Sequence, residues 1–168
     1  MNRRNTFTAI SASLLFAALA ASARDVAAQS AAQLAGTYSG VSFTSTDAAG
    51  NSTPVFGPNP RAMLVLTADG HYNMVIMRES LPKFVLNNRL KGAAEENLAV
   101  VAGSLAHFGK YTIDEKDKSI TFHVDSATFP NWDKTSQKRP LTLKGDQFSY
   151  TTPASGGGTA EVVWKRVK

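Results

Sequence analysis

Short stretches of alternating apolar and polar residues, each ended by turn-forming residues, fill most of the chain after residue 34. A period of two is typical of β-strands that bury one face. Asp69-Gly70 and Gly145-Asp146 are clear hairpin turns between such stretches. The pattern predicts eight strands, at residues 36–43, 62–67, 71–78, 108–113, 119–124, 137–143, 147–151 and 160–167.

One segment, from residue 92 to about residue 106, departs from this alternation and predicts an α-helix. Two acidic residues, Glu95 and Glu96, lie where a first helical turn would favour negative charge. Apolar residues recur there with helical spacing, and we expect them to pack on the sheet. This stripe consists of Ala94, Leu98, Val101 and Leu105.

The predicted elements define a fold class. Eight strands joined mostly by short hairpins form a meander, and a meander closes most naturally into a barrel because closure removes exposed edges. We therefore predict an all-β protein, an eight-stranded antiparallel up-and-down barrel with one inserted helix near residues 92–106. A barrel of this size is either filled with side chains or holds one small ligand.

The first residues have a different pattern, typical of a secretory signal peptide. Arg3 and Arg4 precede an apolar run over residues 7–21, and small residues then suit a cleavage site after Ala23. Cleavage after Ala28 is the alternative. We expect a signal peptide at 1–23, a flexible lead-in at 24–33, a barrel domain at 34–168, and a periplasmic or secreted location.

Charge and composition argue against several classes of partner and site. The formal net charge of +5 falls to +3 without Arg3 and Arg4, and the remaining basic residues are scattered, so we expect no nucleic-acid partner. The chain has no cysteine, which excludes disulfides, thiolate metal sites and a cysteine nucleophile. No segment after the signal peptide is apolar enough for a membrane span. The oligomeric state stays open.

Several motifs carry a family resemblance across nearly all of the predicted domain. In the first half they are Leu34-x-Gly36-Thr37-Tyr38, Phe56-Gly57-x-Asn59-Pro60 and Leu64-x-Leu66-Thr67-x-Asp69-Gly70-x-Tyr72. In the second half they include Phe108-Gly109-x-Tyr111-Thr112, His123-Val124, Phe129-Pro130-Asn131-Trp132, Gln137-Lys138-Arg139, Gly145-Asp146 and Trp164-Lys165-Arg166. The chain resembles the lipocalin-like domain family of bacteria and fungi. The resemblance implies an eight-stranded barrel more firmly than it implies an activity.

The resemblance also implies how one barrel end is closed. Lipocalins carry Gly-x-Trp on the first strand, with the ring packed under an arginine of the last strand. Here Gly36 keeps the glycine position, Tyr38 takes the place of the tryptophan, and Arg166 is placed to stack on the ring. We interpret these residues and Trp164 as structural.

The sequence offers little catalytic chemistry. The three histidines, at positions 71, 107 and 123, have no chelate spacing, so we expect neither a metal site nor a cofactor. His123 and Tyr111 are the candidate acid and base, since a tight hairpin between their strands would put both on one face. The alternative that we favour is that His123 is hydrogen-bonded on the barrel wall or faces solvent.

Arginine is the better candidate for ligand binding. Alternation places Arg139 on one face with Gln137, Leu141 and Leu143, and Arg78 on one face with Tyr72, Met74 and Ile76. If these faces point inward, each arginine lies at a strand end and needs an ion-pair partner or an anionic ligand. The aromatic loop with Trp132 covers a barrel end, either as a plug or as a lid. The candidate ligand-binding residues are Arg139, Arg78, Tyr72, Met74, Trp132 and Gln137.

Three functional hypotheses follow. The preferred one is an exported protein that binds a small, mainly apolar and possibly acidic molecule inside the barrel. The second is a cofactor-free isomerase or cyclase that uses His123 or Tyr111. The third is a solid barrel that acts through its surface on another protein.

Overall fold

A computed structural model describes residues 32–154 and 157–168 of the chain. The predicted signal peptide and both of its cleavage sites lie outside these residues, as does most of the predicted lead-in. The described residues form one antiparallel sheet of nine strands around a single core.

Eight strands of this sheet close into a barrel, which confirms the predicted fold class. Each strand pairs with its neighbours in chain order, and the first strand pairs with the last. A short strand, β2, pairs only with the end of β1, outside the closed cylinder. The strands are β1 (Gly36–Thr46), β2 (Ser52–Pro54), β3 (Arg61–Leu66), β4 (His71–Met77), β5 (Ser104–Asp114), β6 (Ser119–Ala127), β7 (Ser136–Lys144), β8 (Gln147–Pro153) and β9 (Thr159–Arg166).

Alternation decides which side chains fill the barrel. On β4, Tyr72, Met74 and Ile76 are buried, whereas His71 and Asn73 are exposed. Leu64, Ile120 and Trp164, from three other strands, are fully buried and belong to the same core.

The β5–β6 pair contains an irregularity that sets its register. Phe108 pairs with Ser126 and Gly109 with Val124, so Asp125 is one extra residue on β6. A Cβ at position 109 would meet the His123 carbonyl oxygen at 2.1 Å, so only glycine allows this approach. The bulge therefore depends on Gly109.

The helix differs from its prediction at both ends and in its orientation. The helix α1 covers Ala94–Gly103, and β5 begins at the next residue. Leu98 and Val101 are exposed, while Glu96, Val100 and Gly103 are on the less exposed side. The expectation that the apolar stripe packs on the sheet is therefore wrong.

Polar contacts explain this orientation. The Glu96 carboxylate accepts hydrogen bonds from the backbone N–H groups of Val85 and Ala93, both at 2.8 Å. Gly103 lies against Leu81 and Arg78, where a Cβ would not fit. These contacts turn the face that carries Glu96 and Gly103 toward the rest of the protein, and the apolar stripe away from it.

The two barrel ends are built differently. At the closed end, the Arg166 guanidinium lies 4.9 Å from the Tyr38 ring centroid and donates to the carbonyls of Ala35 and Gln33. The Tyr38 hydroxyl donates to the Leu34 carbonyl at 2.7 Å. The other end, called the mouth below, has the longer connections: residues 47–60, 78–103 and 128–135, and the β8–β9 turn. No helix in the described part of the chain is long and apolar enough to cross a membrane.

Candidate functional site

The mouth opens into a cavity of about 390 Å³. Its wall is mainly apolar and aromatic, with contributions from Phe43, Met74, Phe122 and Val162. The polar side chains of the lining are Ser45, Thr53, His107, Gln137, Arg139, Tyr150 and Thr152. None of the described residues that line it is an aspartate or a glutamate, and Arg139 is its one formal charge at neutral pH.

The floor of the cavity contains a buried histidine. The Tyr72 hydroxyl and His107 Nδ1 are 2.8 Å apart, and both rings pack edge-on near Phe122. Burial, with a smaller effect from Arg139, lowers the pKa of His107 to about 4, and burial raises the pKa of Tyr72 well above its usual value. His107 is thus neutral at pH 7, and its Nδ1 shares one hydrogen bond with the Tyr72 hydroxyl.

Trp132 forms part of the cavity rim. It ends a 3₁₀ turn, Pro130–Trp132, and its ring lies 5.8 Å from the His107 ring and 5.6 Å from Phe129. The Thr135 hydroxyl donates to the Trp132 carbonyl at 2.7 Å. Hydrogen bonds within this connection hold its backbone, and the indole lies beside the histidine.

Arg139 is the charge that the sequence pattern pointed to. It is half-buried and donates through Nη2 to Gln137 Oε1 at 2.9 Å and through Nη1 to the Lys138 carbonyl at 3.1 Å. Within the described residues it forms no salt bridge. Burial lowers its pKa, because the cation has lost water without gaining a carboxylate.

Comparison of the sequence with known protein families identifies the family of this chain. Residues 35–167 match the profile of the lipocalin-like domain. The chain belongs to the lipocalin-like domain family. A curated relative of this lipocalin-like chain is the 4'-hydroxy-3'-methoxypropiophenone carrier protein ppsC of Aspergillus oryzae. The two are 26% identical over 83 residues, which is 46% of this chain and 75% of the relative.

One solved structure is also similar to the lipocalin-like barrel. It is a redesigned β-barrel, 15% identical, with a TM-score of 0.42; the match covers 82% of this chain and 95% of the other.

Five of the six predicted ligand-binding residues lie in or under the mouth cavity. Arg139, Gln137, Met74 and Trp132 line it, and Tyr72 supports it through His107. The expected inward placement of Arg78 at the end of its strand was wrong. β4 ends at Met77, so the strand alternation no longer applies one residue later, and the Arg78 side chain is exposed with its stem beside Gly103.

The expected pairing of His123 with Tyr111 was also wrong. Tyr111 pairs with Phe122, and both point into the core, so His123 faces outward and contacts Thr112 and Ser136. The Tyr111 hydroxyl donates to the Thr67 carbonyl at 2.8 Å, near the closed end. The β5–β6 turn has four residues, and Lys118 in it has a left-handed backbone conformation. With this turn, Tyr111 pairs with Phe122, one residue away from the pairing that the expected tight hairpin required.

His107 is the residue that sequence reasoning missed. The predicted helix extended to about residue 106, which left His107 at a helix end. In the structure β5 begins at Ser104, and alternation from Tyr111 back through Gly109 points His107 inward. That inward alternation is the signal that would have found it.

A second cavity, of about 530 Å³, lies at the closed end. Turn residues with both signs of charge line it, among them Asp114, Lys118 and Asp146, and Arg166 already bonds there to the backbone. At the mouth, by contrast, Arg139 bonds only to residues of its own strand within the part of the chain that the structure describes. Among the described residues, no cluster of three or more histidine, aspartate or glutamate side chains is placed to hold a metal ion.

Proposed function

We propose that this lipocalin-like protein binds a small, mainly apolar molecule in the mouth cavity and holds its acidic or carbonyl oxygen with Arg139. The observation that carries this proposal is a half-buried guanidinium without an ion pair in a cavity whose described lining contains no acidic side chain. An arginine forks a carboxylate with two parallel hydrogen bonds, so an anionic head group would supply the missing partner.

The size and surface of the cavity support a ligand of about one substituted aromatic ring. Small-molecule pockets commonly have volumes of roughly 300–1,000 Å³ with mainly apolar walls and a few placed polar groups. Trp132, Phe122 and Tyr150 line the cavity and offer ring contacts to a ligand. The Aspergillus relative is named as a carrier of an aromatic ketone with phenol and methoxy oxygens, a molecule of this size and polarity.

The same cavity favours binding over turnover. His107 and Tyr72 form its one hydrogen-bonded pair of titratable groups among the described residues. A histidine with a pKa of about 4 is a weak base, and a phenol with a raised pKa is a weak acid. The pair therefore suits hydrogen bonding to a ligand better than proton transfer.

The test uses two ligands that differ in one group. Vanillic acid and acetovanillone share a ring with phenol and methoxy groups, and carry a carboxylate and a methyl ketone respectively. In calorimetric titrations we expect the wild type to bind the acid more tightly. We expect Arg139→Gln to weaken binding of the acid by about tenfold or more, since a charged hydrogen bond is lost, and binding of the ketone by less.

The matched control is Arg78→Gln, which removes an exposed arginine outside the cavity. It should leave both affinities unchanged. Equal affinities of wild type and Arg139→Gln for the acid would refute the anchoring role, and no binding of either compound would count against the aromatic ligand class.

We also propose that residues 1–23 direct export of the protein to the periplasm or the medium. The support is the arginine pair, apolar run and small-residue site of the sequence. Amino-terminal sequencing of the protein recovered from outside the producing cell's cytoplasm should begin at Arg24 or, for the alternative site, at Gln29. A chain that still begins at Met1 and stays in the cytoplasm would overturn this proposal.

A further inference from the structure

The connection between β4 and β5, at the mouth, exposes an unusual number of apolar side chains. Val85 is 88% exposed, Leu90 81% and Val101 73%, and Leu86 and Leu98 are also largely exposed. Val85, Leu86 and Leu90, which lie on one loop between residues 85 and 90, are called the mouth patch below. Soluble monomers seldom expose large apolar residues so close together unless the segment binds something.

The mouth patch is held in place by polar contacts. One Glu96 oxygen accepts from the Val85 N–H and the other from the Ala93 N–H, which ties the loop to the start of α1. Asn88 caps the turn at Leu90 with its side chain, and the Asn97 amide donates to the Gly92 carbonyl. The apolar tips are thus presented by a structured segment and need little ordering before they bind.

Basic residues are interleaved with these apolar ones. Residues 80–94 contain Lys83, Arg89 and Lys91, all exposed, and no acidic residue. Of the neighbouring acids, Glu79 accepts a hydrogen bond from Asn59, and the Glu96 oxygens accept from the backbone; Glu95 is exposed. The segment that carries the most exposed apolar tips is therefore cationic.

We propose that the mouth patch docks the protein on an anionic lipid surface. Aliphatic tips such as Val85, Leu86 and Leu90 would enter the boundary between head groups and acyl chains, while Lys83, Arg89 and Lys91 contact the anionic head groups. A neutral apolar partner surface would leave these three cations without a counter-charge. The charge complementarity favours anionic lipid over such a partner.

This proposal goes beyond ligand binding and does not depend on it. Docking needs only the connection between β4 and β5, so the protein without ligand should bind lipid. If both proposals hold, the mouth cavity opens at the end of the barrel that touches the membrane, where apolar molecules dissolve.

The experiment is co-sedimentation of the protein with two kinds of vesicle, one of phosphatidylcholine and one of equal parts phosphatidylcholine and phosphatidylglycerol. We expect binding to the anionic vesicles that falls about fivefold for each of Lys83→Gln and Lys91→Gln. The double variant Leu86→Asn, Leu90→Asn should bind at least tenfold more weakly. Both lysines and both leucines are exposed, so the variants should keep the circular dichroism spectrum of the wild type.

The matched control is Met63→Asn, which changes an equally apolar side chain, 57% exposed, on the outer wall of β3. It should bind vesicles as the wild type does. The proposal fails if the wild type binds neither vesicle, or if the leucine variant binds as well as Met63→Asn. It also fails if the wild type is a dimer that the leucine variant dissociates while lipid binding is absent, since the patch would then join two copies.

Discussion

At the scale of single residues, the lining of the mouth cavity contains a half-buried arginine, Arg139, and a buried histidine, His107. Arg139 has left water without meeting a carboxylate among the described residues, and His107 is buried beside a tyrosine. A desolvated charge without an ion pair lowers stability relative to a paired or apolar core. The proposed contact of Arg139 with a ligand would account for this cost.

The buried histidine makes a prediction about pH. The unfolded chain takes up a proton on this imidazole near pH 6.5, whereas His107 in the folded protein takes one only near pH 4. Between these values the unfolded state binds more protons, so stability falls as the pH falls through this window and the loss is complete below pH 4. We expect His107 to contribute a loss on the order of 3 kcal/mol.

The measurement is urea unfolding of the wild type and of His107→Gln at about pH 7 and about pH 4.5. Glutamine keeps an acceptor for the Tyr72 hydroxyl but does not titrate. The wild type should lose more stability than the variant between the two pH values. An equal loss in both proteins would show that His107 is not the group responsible.

At the scale of elements, the connection between β4 and β5 is held by the side chain of Glu96. Its two carboxylate oxygens each accept one backbone hydrogen bond, from Val85 and Ala93. The neighbouring Glu95 is exposed. Two adjacent glutamates of the same helix turn thus have different structural roles.

We expect Glu96→Ala to release the connection locally. Removal of a capping carboxylate costs about 1 kcal/mol, and here a second backbone N–H also loses its partner. Native-state hydrogen exchange should accelerate at the amides of Val85 and Ala93, with little change at the buried strands. The control, Glu95→Ala, should leave both amides as protected as in the wild type; equal acceleration in the two variants would contradict this account.

These elements also show how far the sequence predicts the structure. Strands such as β4 and β9 were predictable because their inward residues alternate without interruption. The end of α1 was not, since Leu98, Val101 and Leu105 fit a helical period while Leu105 and His107 also fit a strand. Nor was the β5–β6 register, which depends on a left-handed Lys118 and on the bulge at Asp125.

The candidate site was predictable to a similar degree. Arg139 and Gln137 lie inside a regular strand, so their inward direction followed from alternation. Arg78 lies just beyond a strand end, where the period of two no longer holds. Cavity volume and the absence of an acid from its described lining depend on contacts among distant strands, which one sequence does not show.

At the scale of the whole molecule, the arginines at the two ends of the barrel have different contacts. Arg166 at the closed end bonds to two carbonyls and covers the Tyr38 ring, whereas Arg139 at the mouth has bonds only within its own strand. We therefore expect the two arginines to have opposite effects on stability.

We expect Arg166→Gln to lower the free energy of unfolding by about 2 kcal/mol, because two charged hydrogen bonds and a cation–π contact are lost. Arg139→Gln should be neutral or slightly stabilising, because it removes a desolvated charge. Urea unfolding of both variants at neutral pH without ligand tests the contrast. A loss of similar size in Arg139→Gln would mean that this arginine is structural as well.

The seam between β1 and β9 has a further consequence, for how the barrel forms. Tyr38 pairs with Arg166 and Thr46 with Thr159, so the strands that complete the cylinder come from opposite ends of the described chain. Hairpins such as β3–β4 need only local contacts, but the seam must close a loop of nearly the whole domain, which is slow. During synthesis, the edge of β1 that faces β9 therefore stays unpaired until β9 has been made. A chain that stops before Thr159 would leave this edge exposed, and it could then pair with another molecule.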